Sequence, residues 1–344
     1  MNNIQREQIS NLLSEKSVNI VIVSHVNPDG DAIGSSMGLY HALRNLEYSS
    51  VNVISPNAFP AFLNWIPGSD SIWLANRDTK KCTELLKNAQ VIFCLDFNDI
   101  DRVEDLSVRM RKSPAYRVLI DHHPDPREDY DVMISDVSAS STAELVYRFL
   151  VAWAGKECIN LVVAQCLYAG IVTDTGSFSY GCNNPQTYLI TAHLMELGVD
   201  GEKIHRLIYD TYSEGRMRLL GYCLSQKMVV LPQFKTAYIY LSQEDLKRFD
   251  YQEGDTEGVV NYGLSIKDIV LAAIFIERKD TIKISLRSEG QVNVNVLARK
   301  YFNGGGHRNA AGGNHKDSLD NTVSYFESLL QTLSIDNFAA LHEV

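Results

Sequence analysis

Residues 19–46, NIVIVSHVNPDGDAIGSSMGLYHALRNL, determine the class of fold that the chain adopts. The run NIVIVSH has the length and the β-branched content of a buried parallel strand. The loop NPDGDAIG follows it, and SSMGLYHALRNL then has the pattern of a helix. A second strand, VNVIS at 51–55, completes a strand, loop, helix, strand succession, so the chain opens with a βαβ unit.

The same alternation continues along the N-terminal half. TKKCTELLKNA is helical, VIFCLDF at 91–97 and YRVLIDHH at 116–123 are strands, and TAELVYRFLVAW is a helix. This order predicts an α/β domain with a parallel sheet and helices on both faces. Such sheets bind ligands beyond the carboxyl ends of their strands, and three strand ends here carry His or Asp.

A second domain follows a helical stretch. From about residue 228 the pattern changes to short alternating strands, and the glycine-rich segment GGGHRNAAGG lies near the end. We predict an N-terminal catalytic domain over residues 1–195, a helical connector over 196–227 and a smaller C-terminal α/β domain with a mixed sheet over 228–344.

Composition restricts the function. The chain has 344 residues, 45% of them hydrophobic and 22% charged, which is the balance of a folded globular protein of about two domains. The net charge of -10 argues against long duplex nucleic acid as a partner and leaves short or single nucleotides possible.

The six cysteines show no CxxC spacing, and no apolar run reaches the ~20 residues that span a bilayer. We therefore expect reduced thiols, no membrane contact and a cytoplasmic location.

The first candidate site residues are His25, Asp29 and Asp31 in SHVNPDGDAIG. Pro28 and Gly30 force a tight path on this loop, which could turn both carboxylates toward one point. Divalent ions such as Mn²⁺ and Mg²⁺ accept carboxylate oxygen, and Mn²⁺ also accepts imidazole. The alternative is that NPDGD is only a turn followed by a helix cap.

The other candidates also lie at the ends of apolar elements. Asp96 follows the strand VIFCL, where it is either a cap or a ligand between two ions, whereas Asp99 and Asp101 are more consistent with solvated or capping residues. Two imidazoles and a carboxylate follow the strand VLI, and these groups are costly to bury without partners; they are Asp121, His122 and His123.

Asp174 ends the apolar run YAGIVTD, where the helix dipole disfavours an acid unless a cation compensates it. Four separate segments thus deliver His or Asp. This arrangement fits two metal ions that share a bridging carboxylate, and such a pair can generate a nucleophilic hydroxide and stabilise a phosphoryl displacement.

These motifs resemble those of the DHH phosphoesterases that carry a C-terminal DHHA1 domain, and within them the NrnA type. The resemblance covers nearly the whole chain, through HVNPDGDAIGS, LDFND, the triplet DHH at 121–123, GIVTDTGSF and GGGHRNAAGG in this order. FSYGCNN after DTGS departs from many relatives, so no substrate contact is carried over to Ser179 or Tyr180.

The resemblance implies two Mn²⁺ ions, for which Mg²⁺ or Co²⁺ could substitute. One ion would be held by His25, Asp29 and Asp96, and the other by Asp31, Asp96, His122 and Asp174. Asp121 would orient a histidine, and His123 would contact the scissile phosphate as a proton donor or electrostatic stabiliser.

The second domain supplies candidate substrate contacts. Gly304, Gly305 and Gly306 would let backbone amides approach a phosphate or base, and Arg287 could pair with a phosphate through two hydrogen bonds. A simple turn is the alternative for the glycines. The resemblance adds His307 to these contacts, with Arg308 and Asn309 as further candidates.

The activity that the resemblance implies is hydrolysis of short single-stranded oligoribonucleotides, including dinucleotides such as pGpG, to mononucleotides. It also implies conversion of 3'-phosphoadenosine 5'-phosphate, a nucleoside bisphosphate, to AMP and phosphate. The alternatives are an exopolyphosphatase, a pyrophosphatase, a linear or cyclic dinucleotide phosphodiesterase, or a nucleotide sensor without turnover. The sequence leaves the oligomeric state open, and a homodimer is compatible with it.

Overall fold

The computed structural model describes residues 2–332, which form two compact units. The boundary between the units lies between Thr211 and Tyr212, inside the stretch 196–227 that the sequence predicts as a connector. Residues 333–344 of the predicted second domain lie outside the described residues.

The first unit is built on a sheet of six parallel strands in the order β3-β2-β1-β4-β5-β6. Residue Ile20 of the central strand pairs with Val51 on one side and with Val91 on the other. The predicted parallel sheet is confirmed. Its strands are β1 (Ile20–Ser24), β2 (Val51–Ser55), β3 (Trp73–Leu74), β4 (Val91–Leu95), β5 (Tyr116–Asp121) and β6 (Val132–Ser135).

Helices cover both faces of this sheet. Alternate side chains of β1 belong to different cores, because Ile20 and Ile22 pack in one cluster of buried residues and Val21 and Val23 in another. The helices of this unit are α1 (Asn3–Leu12), α2 (Gly30–Asn45), α3 (Thr79–Asn88), α4 (Asp105–Lys112), α5 (Thr142–Ala154), α6 (Leu161–Asp174), α7 (Pro185–Glu196) and α8 (Gly201–Tyr209).

Helices α2 and α6 pack backbone against backbone. A Cβ atom on Gly34 would lie only 2.6 Å from the carbonyl oxygen of Cys166 and 2.7 Å from the amide nitrogen of Gly170. Gly30, one turn earlier in α2, faces the side chain of Thr173. The two helices therefore run antiparallel, and the first turn of α2 lies beside the last turn of α6.

The second unit contains a mixed sheet in the order β11-β12-β10-β9-β8-β7, as predicted. Only β8 and β9 pair in parallel among its described strands. The strands are β7 (Met228–Leu231), β8 (Thr236–Leu241), β9 (Leu271–Glu277), β10 (Ile282–Ser288), β11 (Gly305–Gly306) and β12 (Ala310–His315). The helices are α9 (Glu214–Tyr222), α10 (Gln243–Arg248), α11 (Asn261–Leu264), α12 (Val294–Tyr301) and α13 (Leu319–Thr332).

The glycine-rich segment GGGHRNAAGG forms a β-hairpin from β11 and β12. The amide of His307 donates to the carbonyl of Ala310 at 2.7 Å and closes the turn between the strands. The sequence pattern did not predict these strands, because glycine lacks the side chain from which strand periodicity is recognised.

All six cysteines are buried and unpaired. Across residues 2–332, no helix combines the length and the apolar character needed to cross a bilayer.

Candidate metal centre and active site

The His and Asp residues predicted from the first unit's strand ends lie together at the carboxyl end of the parallel sheet. His25 follows β1, Asp96 follows β4, and His122 follows β5. The last turn of α6 adds Asp174, and the first turn of α2 adds Asp31. The order of the strands in the sheet, β1-β4-β5, makes these ends neighbours.

His25 and Asp29 occupy the β1–α2 loop. The Nδ1 atom of His25 lies 2.8 Å from the carbonyl of Val26, to which it donates its proton, so Nε2 is left with its lone pair. This Nε2 lies 4.0 Å from Oδ2 of Asp29. Oδ1 of Asp29 accepts the amides of Asp31 and Ala32, both at 3.0 Å, and caps α2. Asp29 is therefore a helix cap through one oxygen and faces His25 with the other.

Asp31 is buried against the start of α5. Its Oδ2 accepts the amide of Thr142 at 2.6 Å, and its Oδ1 accepts the amide of Ala143 at 2.8 Å. The helix N-terminus favours a negative charge at this position. A Cβ atom on Gly170 would come within 2.9 Å of Asp31 Oδ1, so a glycine in α6 leaves the space for this carboxylate.

Asp96 lies at the centre of the cluster. Its Oδ2 is 3.3 Å from Nε2 of His25, and its Oδ1 is 3.8 Å from Nε2 of His122. The hydroxyl of Thr142 also donates to Oδ1, at 3.0 Å. The backbone of Asp96 is left-handed, with φ of 67°, an uncommon conformation for a residue other than glycine. The two carboxylate oxygens thus face two different imidazoles.

His122 is surrounded by carboxylates. Its Nε2 lies 3.4 Å from Oδ2 of Asp174 and 4.0 Å from Oδ2 of Asp31. On the other side of the ring, Nδ1 is 3.4 Å from the carbonyl of Ala139. The carbonyl fixes the ring so that Nε2 points at the acids.

The adjacent histidine, His123, is held by Asp121. Its Nδ1 donates to Oδ1 of the fully buried Asp121 at 2.7 Å. Oδ2 of Asp121 has no hydrogen-bond partner among residues 2–332. This hydrogen bond fixes the orientation of the His123 ring.

The carboxylates of the cluster raise one another's pKa values. Burial raises the pKa of Asp31 well above its ordinary value, and the charges of Asp96 and Asp174 raise it further. Burial is also the main cause that raises the pKa of Asp174 to about 6, against the attraction of His122. Burial would raise the pKa of Asp96 too, but the hydrogen bond and charge of His25 outweigh it and hold that pKa well below its ordinary value. The acids therefore need positive charge nearby to be ionised together.

For the two imidazoles, burial lowers the pKa and the neighbouring carboxylates raise it. Burial alone would lower the pKa of His25, but the hydrogen bond to Asp96 and the charge of Asp29 raise it above the ordinary value. Burial likewise opposes a raised pKa at His122, where the charges of Asp174 and Asp96 are stronger. Divalent cations in place of these protons would satisfy the same carboxylates.

Within the first unit, three groups of donor atoms are compact enough to hold an ion, with all atoms of a group within 4.8 Å of one another. The groups are His25, Asp29 and Asp96; Asp31, Asp96 and His122; and Asp96, Asp121 and His123. Asp96 belongs to all three. Carboxylate oxygen with imidazole nitrogen is a donor set that suits Mn²⁺, Co²⁺ and Zn²⁺, so the residues present fit divalent ions.

Sequence reasoning missed the residues that hold the acids in place. Thr142 and the amide of Ala143 contact Asp31 and Asp96 from the start of α5. The local signal was present in SSTAE at 140–144, where Ser141 caps the helix three residues before Glu144. That pattern predicts a helix start but not what the helix start touches.

In the second unit, the three glycines of the hairpin differ in what the fold requires. A Cβ atom on Gly304 would lie 1.9 Å from the carbonyl oxygen of Gly312, and Gly306 has a φ of 147°. Gly305 has no such restriction, because the nearest atom to its Cβ would be Oδ1 of Asn295 at 3.6 Å. The fold explains Gly304 and Gly306, and it leaves open why residue 305 is a glycine.

Arg287 lies on β10 opposite Ala310, the first residue of β12, so the structure brings this arginine beside the hairpin turn that carries His307. Asn309 has a structural role, since its Nδ2 donates to Oγ of Ser288 at 2.9 Å. Arg308 is exposed and donates to the backbone carbonyl of Gln291 at 3.2 Å.

Comparison with known families agrees with this architecture. Residues 19–171 match the model of the DHH family, N-terminal domain, and residues 233–333 match the model of the DHHA1 domain. The chain therefore belongs to the DHH/DHHA1 family of phosphoesterases.

Several of the similar proteins bear the name NrnA. The chain is 30% identical to the bifunctional oligoribonuclease and PAP phosphatase NrnA of Bacillus subtilis (strain 168), over 90% of this chain and 94% of that protein. It is also 30% identical to the protein of the same name from Thermus thermophilus, over 89% and 86%. A crystal structure of an exopolyphosphatase-related protein from Bacteroides fragilis superposes with a TM-score of 0.93 at 42% identity, covering 99% of this chain and 98% of that one.

Proposed function

We propose that the chain is a Mn²⁺-dependent phosphoesterase that hydrolyses short oligoribonucleotides, including pGpG, to mononucleotides. In the same site it would convert 3'-phosphoadenosine 5'-phosphate to AMP and phosphate. The names of the NrnA relatives support both substrates, since these proteins are described as oligoribonucleases and PAP phosphatases.

The observation that carries the proposal is the position of Asp96. Its Oδ2 faces His25 and its Oδ1 faces His122, and each imidazole has its own further carboxylates. A carboxylate shared in this way is the ligand that holds two ions at the short separation that phosphoryl transfer uses. His25, Asp29 and Asp96 would hold one ion, and Asp31, Asp96, His122 and Asp174 the other.

When bound, two divalent ions supply Lewis acidity, which lowers the pKa of an attacking water and offsets the charge on the phosphate oxygens. The chain's own residues orient the reactants. Asp121 holds the ring of His123 through Nδ1 at 2.7 Å and would stabilise positive charge on it, so that the protonated ring could contact the scissile phosphate or protonate the leaving oxygen.

The second unit would bind the part of the substrate that does not react. Arg287 can pair with a phosphate through two parallel hydrogen bonds. The fold leaves room for a Cβ atom at Gly305, so the glycine there would serve a phosphate or base that approaches the backbone. His307 would be a further contact, from the turn of the same hairpin.

Polyphosphate hydrolysis is the second candidate. The Bacteroides fragilis structure, described as exopolyphosphatase-related, has 42% identity to this chain. Polyphosphate would use the same ions and Arg287 but would have no use for a base-contacting surface.

The decisive test is a substrate panel with Mn²⁺: labelled pGpG, a longer RNA, 3'-phosphoadenosine 5'-phosphate, pyrophosphate and short polyphosphate. We expect mononucleotides from pGpG and phosphate from the nucleoside bisphosphate, with both activities lost in Asp96→Ala. Turnover confined to polyphosphate or pyrophosphate would replace the proposal by the second candidate or by a pyrophosphatase. Metal binding without turnover of any substrate would favour a sensor.

The proposal includes a cytoplasmic location, because short RNA fragments arise where RNA is degraded inside the cell. The proposed function does not depend on a homodimer. The homodimer stays a prediction that a sedimentation measurement would test.

A further inference from the structure

Thr142 has a position that its helix does not explain. It is the first residue of α5 and is fully buried. The cap of this helix is already provided by Ser141, whose Oγ accepts the amide of Glu144 at 3.1 Å. A β-branched residue brings no advantage to a helix, since its side chain loses rotamer freedom there. The reason for a threonine must lie in what it contacts.

Its contacts are the two most buried carboxylates of the metal centre. The hydroxyl of Thr142 donates to Oδ1 of Asp96 at 3.0 Å, and its amide donates to Oδ2 of Asp31 at 2.6 Å. The amide of Ala143 donates to Oδ1 of Asp31 at 2.8 Å. Two consecutive residues thus supply a donor to every oxygen of Asp31 and Asp96 except Oδ2 of Asp96, which faces His25.

The start of α5 is itself fixed from the opposite side. Glu144 is fully buried, and its Oε2 accepts the hydroxyl of Ser140 at 2.8 Å and the hydroxyl of Thr187, from α7, at 2.7 Å. The carbonyl of Ala139, in the same segment, faces Nδ1 of His122 at 3.4 Å. A hydroxyl on such a fixed segment can set the orientation of a carboxylate.

We propose that Thr142 is a positioning residue of the metal centre, whose hydroxyl holds Asp96 in the rotamer that directs Oδ2 to one ion and Oδ1 to the other. The inference rests on the proposed function, in which Asp96 bridges two ions. Loss of a group that orients a metal ligand in this way typically weakens metal binding by about 10- to 100-fold.

The test compares Thr142→Val, which keeps the shape and removes the hydroxyl, with Thr142→Ser, which keeps the hydroxyl. Calorimetric titration of the metal-free chain with Mn²⁺ gives the affinity without any substrate. We expect Thr142→Val to bind Mn²⁺ about 10-fold more weakly or worse, and Thr142→Ser to stay within about threefold of the unmodified chain.

Thr187→Val is the matched control. Thr187 is also fully buried and also donates its hydroxyl to a carboxylate, but that carboxylate is Glu144, which is in none of the ion-binding groups. Thr187→Val loosens the segment that carries Thr142 but keeps the Thr142 hydroxyl, so we expect it to lose thermal stability much as Thr142→Val does and to lose clearly less Mn²⁺ affinity than Thr142→Val. A purely structural role of Thr142 would weaken Mn²⁺ binding equally in both variants and would overturn the inference.

Unchanged Mn²⁺ affinity in Thr142→Val would also overturn it, while leaving the proposed function intact. If the valine variant does not fold, Thr142→Ser and Thr142→Ala decide the question, since these two differ only in the hydroxyl. Equal affinity of that pair would contradict the proposal. Absence of Mn²⁺ binding by the unmodified chain would instead remove the proposed function on which the inference rests.

Discussion

Asp96 is the residue on which the site depends. It follows a five-residue buried strand and adopts a left-handed backbone, a conformation that costs roughly 1 to 3 kcal/mol for a residue other than glycine. Surrounding residues of the same fold maintain this backbone conformation, because Thr142 and His25 each contact one oxygen of the Asp96 side chain. A side chain that only capped a helix would not need two fixed oxygens.

At this scale the sequence predicted where the acids lie but not how they are held. The ends of apolar strands pointed to Asp96 and His122, because those ends share one edge of a parallel sheet. The donor to Asp96 comes from Thr142, which is 46 residues away in the chain. Such a contact depends on how α5 packs on the sheet, and no local pattern carries that information.

The pair formed by Asp121 and His123 gives a prediction about catalysis. Asp121→Asn removes the carboxylate that orients the His123 ring and stabilises positive charge on it, so the ring loses its proposed role as a proton donor or electrostatic stabiliser. We expect kcat for pGpG to fall by at least about 100-fold, with Mn²⁺ affinity unchanged.

The control is Asp131→Asn, an exposed carboxylate that accepts only a backbone amide, from Arg117 at 2.8 Å. It should keep the unmodified kcat. A kcat for Asp121→Asn equal to that of this control would mean that His123 does not need the carboxylate of Asp121 for catalysis.

The hairpin glycines give a second prediction at this scale. Gly304→Ala should destabilise the chain by about 2 kcal/mol or more, because its Cβ would collide with the carbonyl of Gly312. Gly305→Ala has room and should change the free energy of unfolding by less than about 1 kcal/mol. If the backbone at Gly305 contacts substrate, its alanine variant should raise KM.

Urea unfolding and KM measured on both variants check this separation. If Gly305→Ala has the same KM as the unmodified chain, Gly305 has no role in substrate binding and the prediction is wrong.

At the scale of elements, the site is assembled by three helices whose ends meet at the sheet. The start of α2 brings Asp31, the end of α6 brings Asp174, and the start of α5 supplies the amides that hold Asp31. The close approach of α2 and α6 at Gly34 sets the distance between the first two. Helix packing therefore controls the spacing of the acids.

Gly34→Ala tests whether the packing of α2 on α6 sets the spacing of the acids. The added Cβ would lie 2.6 Å from a carbonyl oxygen of α6, so the two helices must separate. We expect a loss of about 1 to 3 kcal/mol of stability and weaker Mn²⁺ binding. The matched substitution is Gly221→Ala in α9, where no atom lies within 4 Å of the new Cβ.

Gly221→Ala should be neutral or stabilising by up to about 1 kcal/mol, because alanine favours a helix over glycine. Calorimetric melting and Mn²⁺ titration of both variants give the comparison. Unchanged Mn²⁺ affinity in a destabilised Gly34→Ala chain would show that helix spacing and ligand geometry are independent.

The elements themselves were predicted where the side chains have a clear period. The predicted strand at 51–55 coincides with β2, and the predicted strand at 91–97 contains β4. The strands β3, β6, β11 and β12 were missed. The first three are short, and β12 consists of AAGGNH, in which no alternation of apolar and polar residues exists.

At the scale of the whole molecule, the charge of the chain has a local cause. The net charge is -10, and several of the acids that produce it are buried side by side in the first unit. Bound divalent ions would remove part of this negative charge. The stability of the chain should consequently depend on pH and on metal in linked ways.

The pH dependence has a defined sign in protein stripped of metal with a chelator. The pKa of Asp174 is raised to about 6 in the folded chain, and the pKa values of His25 and His122 are also raised. The folded state therefore holds these protons more tightly than the unfolded state. The contribution of Asp174 is complete below its ordinary pKa of 3.8 and is lost as the pH rises to about 6, whereas that of the two imidazoles is complete below 6.5 and is lost above it. The pKa of Asp96 is instead lowered in the folded chain. Its contribution to stability is therefore present at neutral pH and is lost only as the pH falls below about 4.

Because solvent screens the partly exposed side chain of Asp174, we expect the free energy of unfolding of the metal-free chain to fall by only about 1 kcal/mol between pH 4 and 8, and Asp174→Asn to show a smaller fall. With saturating Mn²⁺ the trend should reverse, because the ion competes with these protons. Urea unfolding at several pH values measures both. A metal-free chain that becomes more stable as the pH rises would contradict the account.

The central claim is that Asp96 bridges two divalent ions, and electron paramagnetic resonance of the Mn²⁺-loaded chain tests it most directly. We predict two bound Mn²⁺ per chain with the exchange-coupled spectrum of a carboxylate-bridged pair, and loss of that coupling in Asp96→Ala. A single bound Mn²⁺ with the spectrum of an isolated ion would contradict the bridging role of Asp96 and with it the two-ion mechanism.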